Sequence, residues 1–72
     1  MKSTYSREYK ALIKKLKQAR LKSGLTQIEI AKKLSKPQSF ISKVECGERR
    51  LDVIELKKIA ALYKVDISKL LI

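Results

Sequence analysis

Gln38, Ser39, Ser42 and Lys43 fall within six residues of one another, and all four can donate hydrogen bonds. None is a carboxylate, and each is short or flexible. A glutamine amide offers a donor and an acceptor side by side, which is what adenine requires at its major-groove edge. Lysine and serine can reach guanine or a phosphate oxygen, and small side chains permit close approach. A carboxylate in the same place would repel phosphate. An ordinary solvated helix face carries similar residue types, so the assignment depends on the elements that present these side chains.

Other chemistries are poorly served. The chain has no histidine, hence neither the commonest general base nor the commonest metal ligand. Its single cysteine, Cys46, can form neither an internal disulfide nor a thiolate cluster, and is read as a reduced, half-exposed filler in an intracellular protein. No catalytic, cofactor-binding or metal-ligating set is expected, and no enzyme activity. Seventy-two residues allow one domain, 1–72, with 1–6 expected as a flexible arm. No apolar run approaches the roughly 20 residues of a membrane-spanning helix, and the polar start MKSTYSREYK is unlike a signal peptide.

Charge is the strongest compositional signal. Eighteen Lys and Arg stand against 7 Asp and Glu, a formal net charge of +11. Residues 51–72 carry four lysines and three acids and sum to +1, so the other +10 sits in residues 1–50. A polyanion is the natural counterpart of such a surface.

Periodicity gives an all-α chain of five helices. Ser6 is placed to cap the first, which runs to about Lys22 with Tyr9, Leu12, Ile13, Leu16, Ala19 and Arg20 on one inward stripe. Gly24 stops it. Thr26 and Glu29 form a capping box for helix two, whose inward face is Ile30, Ala31 and Leu34. Pro37 suits the opening of helix three, which ends at Cys46-Gly47. Asp52 and Glu55 repeat the box for helix four, with Leu56, Ile59, Ala60 and Tyr63 facing in. Asp66 caps a last short turn carrying Ile67, Leu70 and Leu71.

On a helical wheel advanced by about 100° per residue, Pro37, Ile41 and Val44 of helix three coincide, with Phe40 at one edge. Gln38, Ser39, Ser42, Lys43 and Cys46 occupy the opposite arc. Glu45 lies on the core flank, where a lone carboxylate would cost several kcal/mol. Arg20, on the inward stripe of helix one, is its natural partner, and an Arg20–Glu45 ion pair locking the two helices is expected. Two short helices with a tight joint, about 26–46, match a helix-turn-helix.

From about Leu12 to Leu71 the chain resembles the phage-repressor and Cro-like (XRE-type) helix-turn-helix family. The resemblance rests on Arg20-Leu-Lys-Ser-Gly-Leu-Thr-Gln27, on Ile30-Ala31, on Gln38-Ser-Phe-Ile-Ser-Lys-Val-Glu45 with Gly47, and on Ile59-Ala-Ala-Leu-Tyr-Lys-Val-Asp66. It implies a compact five-helix bundle of the repressor type, and sequence-specific binding of double-stranded DNA for transcriptional regulation. It further implies a homodimer on an inverted-repeat operator, in a prokaryotic or phage-encoded setting in the cytoplasm, on the nucleoid. Carried over by position, Gln38, Ser39, Ser42 and Lys43 face bases. Gln27 bonds phosphate and braces Gln38. Arg49 and Arg50 in the following loop, and Lys36 in the turn, lie against phosphate. The Arg20–Glu45 pair recurs in the family. Ser35 departs from the usual glycine, Lys36 from an aliphatic, and Pro37 from a Ser/Thr cap, leaving the first amides of helix three without their usual partner.

Other readings stay open. The neutral surface of helices four and five suits a protein-interaction module, or an antitoxin-like protein that binds a partner with DNA binding secondary. Phage repressor and restriction–modification controller are equally compatible with the motif. A membrane-surface binder needs exposed apolar faces, and RNA reading needs an aromatic platform; neither is evident, nor is a small-molecule substrate. Leu70, Leu71 and Ile72 suit a dimer seam or a docked C-terminus. The helix-one lysines read as solubilising and steering charges. Ile28 falls off the inward stripe.

Overall fold

The start of each long helix is written in a side chain. The computed structural model describes residues 6–70, and among them five helices follow in order: α1 (Arg7–Ser23), α2 (Gln27–Leu34), α3 (Gln38–Glu45), α4 (Val53–Leu62) and α5 (Ile67–Leu70). Ser6, counted above with the arm, is the N-cap of α1, its hydroxyl accepting from the Tyr9 amide at 3.2 Å. Thr26 and Asp52 each accept from the amide three residues on, and Glu29 and Glu55 accept in return from the cap amides, closing both boxes. Hydrogen bonding from the Thr26 amide, and secondarily from the Thr26 hydroxyl, holds the Glu29 carboxyl below its ordinary range. Pro37 is the exception. It caps α3 with ψ 155° and offers no side-chain hydrogen bond.

The helix ends are also alike. Gly24, Ser35, Gly47 and Lys64 follow α1 to α4 in turn, and all four have left-handed φ, at 78°, 56°, 81° and 57°. Each end repeats one bonding pattern, seen after α2 as Ser35 N–H to the Lys32 carbonyl at 3.1 Å and Lys36 N–H to the Ala31 carbonyl at 2.9 Å. This is the Schellman arrangement, which satisfies carbonyls the helix leaves open. A left-handed non-glycine residue costs ~1–2 kcal/mol, while glycine gives back ~0.5–1 kcal/mol in unfolded-chain entropy. Ser35→Gly is therefore expected to stabilise the domain by about 0.5–1 kcal/mol, read as a higher urea midpoint. A lower midpoint would show that the serine side chain itself contributes to the turn.

The helices bury one face each against a common core. α2 packs on α3 and α4, α1 on α3, and α5 closes against α1 and α4. Ile30, Ile41 and Ile59, from three different helices, are fully buried at its centre. The stripe of α1 is buried from Leu12 to Arg20, with Tyr9 half-buried at the rim. One placement on the α3 wheel changes. Pro37 is exposed, because its extended ψ puts it outside the helix and off the wheel. Phe40, at the edge of the buried stripe, is 6% exposed and belongs to the core as expected. Ile28 is exposed, as are Leu21, Val53 and Ile54. Leu71 and Ile72 lie outside the described residues, as do residues 1–5 of the arm.

Tyr63 closes the core beside the Arg20–Glu45 region. Burial, reinforced by the Glu45 charge and opposed by Arg20, pushes its phenol from 10.0 up to about 12. A folded value above the unfolded one means the neutral phenol favours the folded state. That contribution is complete below pH 10 and is lost as pH rises toward 12. Tyr63→Phe is expected to flatten the alkaline limb of the stability curve in that window, leaving neutral pH little changed; an unaltered limb refutes the assignment.

Candidate nucleic-acid interface

Arg20 reaches across from α1 to the end of α3. Its Nε donates to Glu45 Oε2 at 2.7 Å and a terminal nitrogen donates to Oε1 at 3.2 Å, a bidentate pair. The remaining terminal nitrogen donates to the Leu25 carbonyl at 2.9 Å, which fixes the chain just before α2. Both side chains are shielded, at 10% and 6% exposure. The Glu45 bond drives the Arg20 guanidinium above its ordinary value despite desolvation.

From this pair a chain of amides leads outward. Gln27, the first residue of α2, donates from Nε2 to Glu45 Oε1 at 2.9 Å. A carboxylate can only accept, so the Gln27 amide has one permitted orientation, with its oxygen turned the other way. That oxygen accepts from Gln38 Nε2 at 3.4 Å. The direction of the Gln38 amide is thus set by the buried charge of Glu45, two hydrogen bonds away. One N–H and the carbonyl oxygen of Gln38 remain to be offered to solvent or a ligand.

Gln38, Ser39 and Lys43 are exposed, and Ser42 is half-buried on the same arc. Cys46 is exposed rather than half-buried, a turn further on. The apolar side of α3, Phe40, Ile41 and Val44, holds the helix down. Flanking cations are organised by rings. Lys36 Nζ lies 5.4 Å and Arg49 Cζ 4.6 Å from the Phe40 centroid, and Arg50 Cζ lies 5.4 Å from that of Tyr9. Arg49 also donates to Glu55 Oε2 at 3.0 Å, so its guanidinium is tied to the start of α4. At 41% and 19% exposure that bond serves position more than stability. Lys36 and Arg49 therefore lie beside α3 at Phe40, and Arg50 lies against Tyr9 of α1, all three on partly immobilised side chains.

Two positioning bonds carry no sequence signal that could have found them. The Tyr9 hydroxyl accepts from the Leu51 amide at 2.9 Å, fastening the loop after α3 to α1. Glu55 divides its two oxygens between the Asp52 amide and Arg49. The Gln27–Glu45 bond adds to what the sequence predicts, which pairs Glu45 with Arg20 and Gln27 with Gln38.

An arc of donors on a short anchored helix, joined to another short helix by the three residues Ser35, Lys36 and Pro37, defines a helix-turn-helix. Comparison with known proteins agrees. A helix-turn-helix family model matches residues 16–70. A solved structure, an XRE-family like protein from Pseudomonas syringae pv. tomato str. DC3000, superposes with a TM-score of 0.83 at 47% identity, covering 89% of this chain and 78% of that one. No curated protein matches. The chain belongs to the XRE-type helix-turn-helix family of DNA-binding regulators. Among the described residues no helix is long and apolar enough to cross a membrane.

Proposed function

We propose that this protein reads an inverted-repeat operator in double-stranded DNA as a homodimer and regulates transcription by occupying it. In this reading α3 lies in the major groove, with the two copies about one helical turn, ~34 Å, apart. The observation that carries it is the braced Gln38 beside Ser39, Ser42 and Lys43, on a face free of carboxylates. Gln38 makes the bidentate contact suited to adenine, and Lys43 and the serines address neighbouring base edges. Gln27, Lys36, Arg49 and Arg50 hold the flanking phosphates, which fix register without reading sequence.

Selection from a random duplex pool tests the proposal. An enriched inverted repeat supports it, and a pool left unenriched overturns it. On the enriched site, Lys43→Ala is expected to change the preferred base and cost about 1–3 kcal/mol, while Arg50→Ala weakens all sequences alike and lowers the salt slope by about 1. Equal losses on specific and random DNA for both variants would remove this division of roles. A partner-binding or antitoxin-like role draws on the exposed Val53 and Ile54 at the start of α4. It anticipates a monomer in sedimentation and no enriched sequence.

A further inference from the structure

Lys10, Lys14 and Lys17 are spaced four and three residues apart on α1, so they form a single stripe, and all three are exposed. They line a cleft of about 270 Å3 whose floor is Tyr9 and Ile13 and whose far wall is the end of α3, Cys46 and Gly47. Cys46 continues the arc of Ser42 and Lys43 by one turn. The stripe is therefore contiguous with the recognition face at its C-terminal end. Glu45 also lines the cleft, but its carboxylate is neutralised by Arg20 and shielded at 6% exposure.

Like charges at this spacing repel. A polyanion laid along them removes that repulsion. We infer that the Lys10–Lys14–Lys17 stripe is a second DNA-contacting surface, engaging backbone phosphates that flank the site read by α3. This rests on the DNA-binding reading and extends it to DNA outside the operator. A helix ~10–12 Å across fills a major groove ~12 Å wide, so elements flanking α3 stand close to the phosphate strands that border the groove. The stripe flanks the C-terminal end of α3 across the cleft. At ~1.5 Å per residue it spans ~10 Å, and one strand places a phosphate every ~3.4 Å along the duplex axis. About three successive phosphates match three lysines.

The test compares the wild type with Lys10→Gln, Lys14→Gln, Lys17→Gln and with a control, Lys57→Gln, Lys58→Gln, Lys69→Gln, which loses the same charge from exposed positions of α4 and α5. Each binds two duplexes carrying the enriched site, one with long flanks and one cut at the edges of the site, over a range of salt. Far-ultraviolet circular dichroism establishes that all three are folded. With long flanks the stripe variant is expected to lose about 2–3 from the slope of log affinity against log salt, at about 0.9 per phosphate released. It should also bind both duplexes alike, with an unchanged base preference. The control should keep the wild-type preference for the longer duplex. Equal slopes for the two triple variants, or a stripe variant that still gains from long flanks, would overturn the inference while leaving operator reading intact. A wild type that binds neither duplex would overturn the DNA-binding reading itself.

Discussion

Arg20→Ala is expected to destabilise the domain by about 3–5 kcal/mol, the cost of stranding one member of a buried ion pair. The substitution removes both bonds to Glu45 and the bond to the Leu25 carbonyl, leaving Gln27 as the carboxylate's remaining donor. A domain of this length has a total stability of about 4–11 kcal/mol, so about a quarter or more of it is at stake. The melting temperature should fall by about 12 °C or more. Exposed α1 lysines serve as the comparison, since Lys14→Ala and Lys22→Ala should move stability by no more than about 0.5 kcal/mol. An Arg20→Ala melting temperature equal to theirs would reject the pair as a structural element. Replacing both partners, Arg20→Met with Glu45→Leu, should recover most of the loss, because well-packed apolar groups often substitute for a buried pair. The pair's larger contribution is then to geometry, since the double variant folds without an anchor for Gln27.

Legibility in the sequence followed the chemistry of the residues concerned. Ser6, Thr26 and Asp52 announce helix starts because a capping oxygen is a type-specific requirement, and the glycines at 24 and 47 mark stops for the same reason. Ser35 and Lys64 make the same left-handed turn without the residue that advertises it, and the backbone hydrogen bonds to the preceding helix hold what the type does not announce. The Arg20–Glu45 juxtaposition is readable from two wheels, because a carboxylate on a buried flank demands a partner. Arg49 is different. Its link to Glu55 and its stacking on Phe40 depend on the path of the loop after α3, which no periodicity encodes. The same holds for Tyr9, whose hydroxyl reaches the Leu51 amide from 42 positions away.

Gln27→Met separates bracing from contact. The side chain is nearly isosteric, so packing at the half-buried start of α2 is retained, and Glu45 keeps its bidentate guanidinium. Stability should drop by about 1.5 kcal/mol, the value of one hydrogen bond to a charged group at the low end of its range. Binding should respond in two ways. Loss of a phosphate contact lowers affinity for every duplex equally. Loss of the amide that orients Gln38 lowers discrimination at one base pair by up to about 1–3 kcal/mol, the worth of a bidentate contact. Gln38→Ala should erase discrimination at that same base pair and spare the others. The double variant then discriminates there no worse than Gln38→Ala alone, because both changes break one coupled unit. If the two losses at that position simply add, Gln27 and Gln38 act independently, and the relay from Glu45 does not govern base reading. If Gln27→Met weakens all sequences uniformly, its amide holds phosphate and orients nothing. Only a loss confined to the Gln38 position, over and above the uniform one, makes the buried charge of Glu45 the origin of direction at the recognition face.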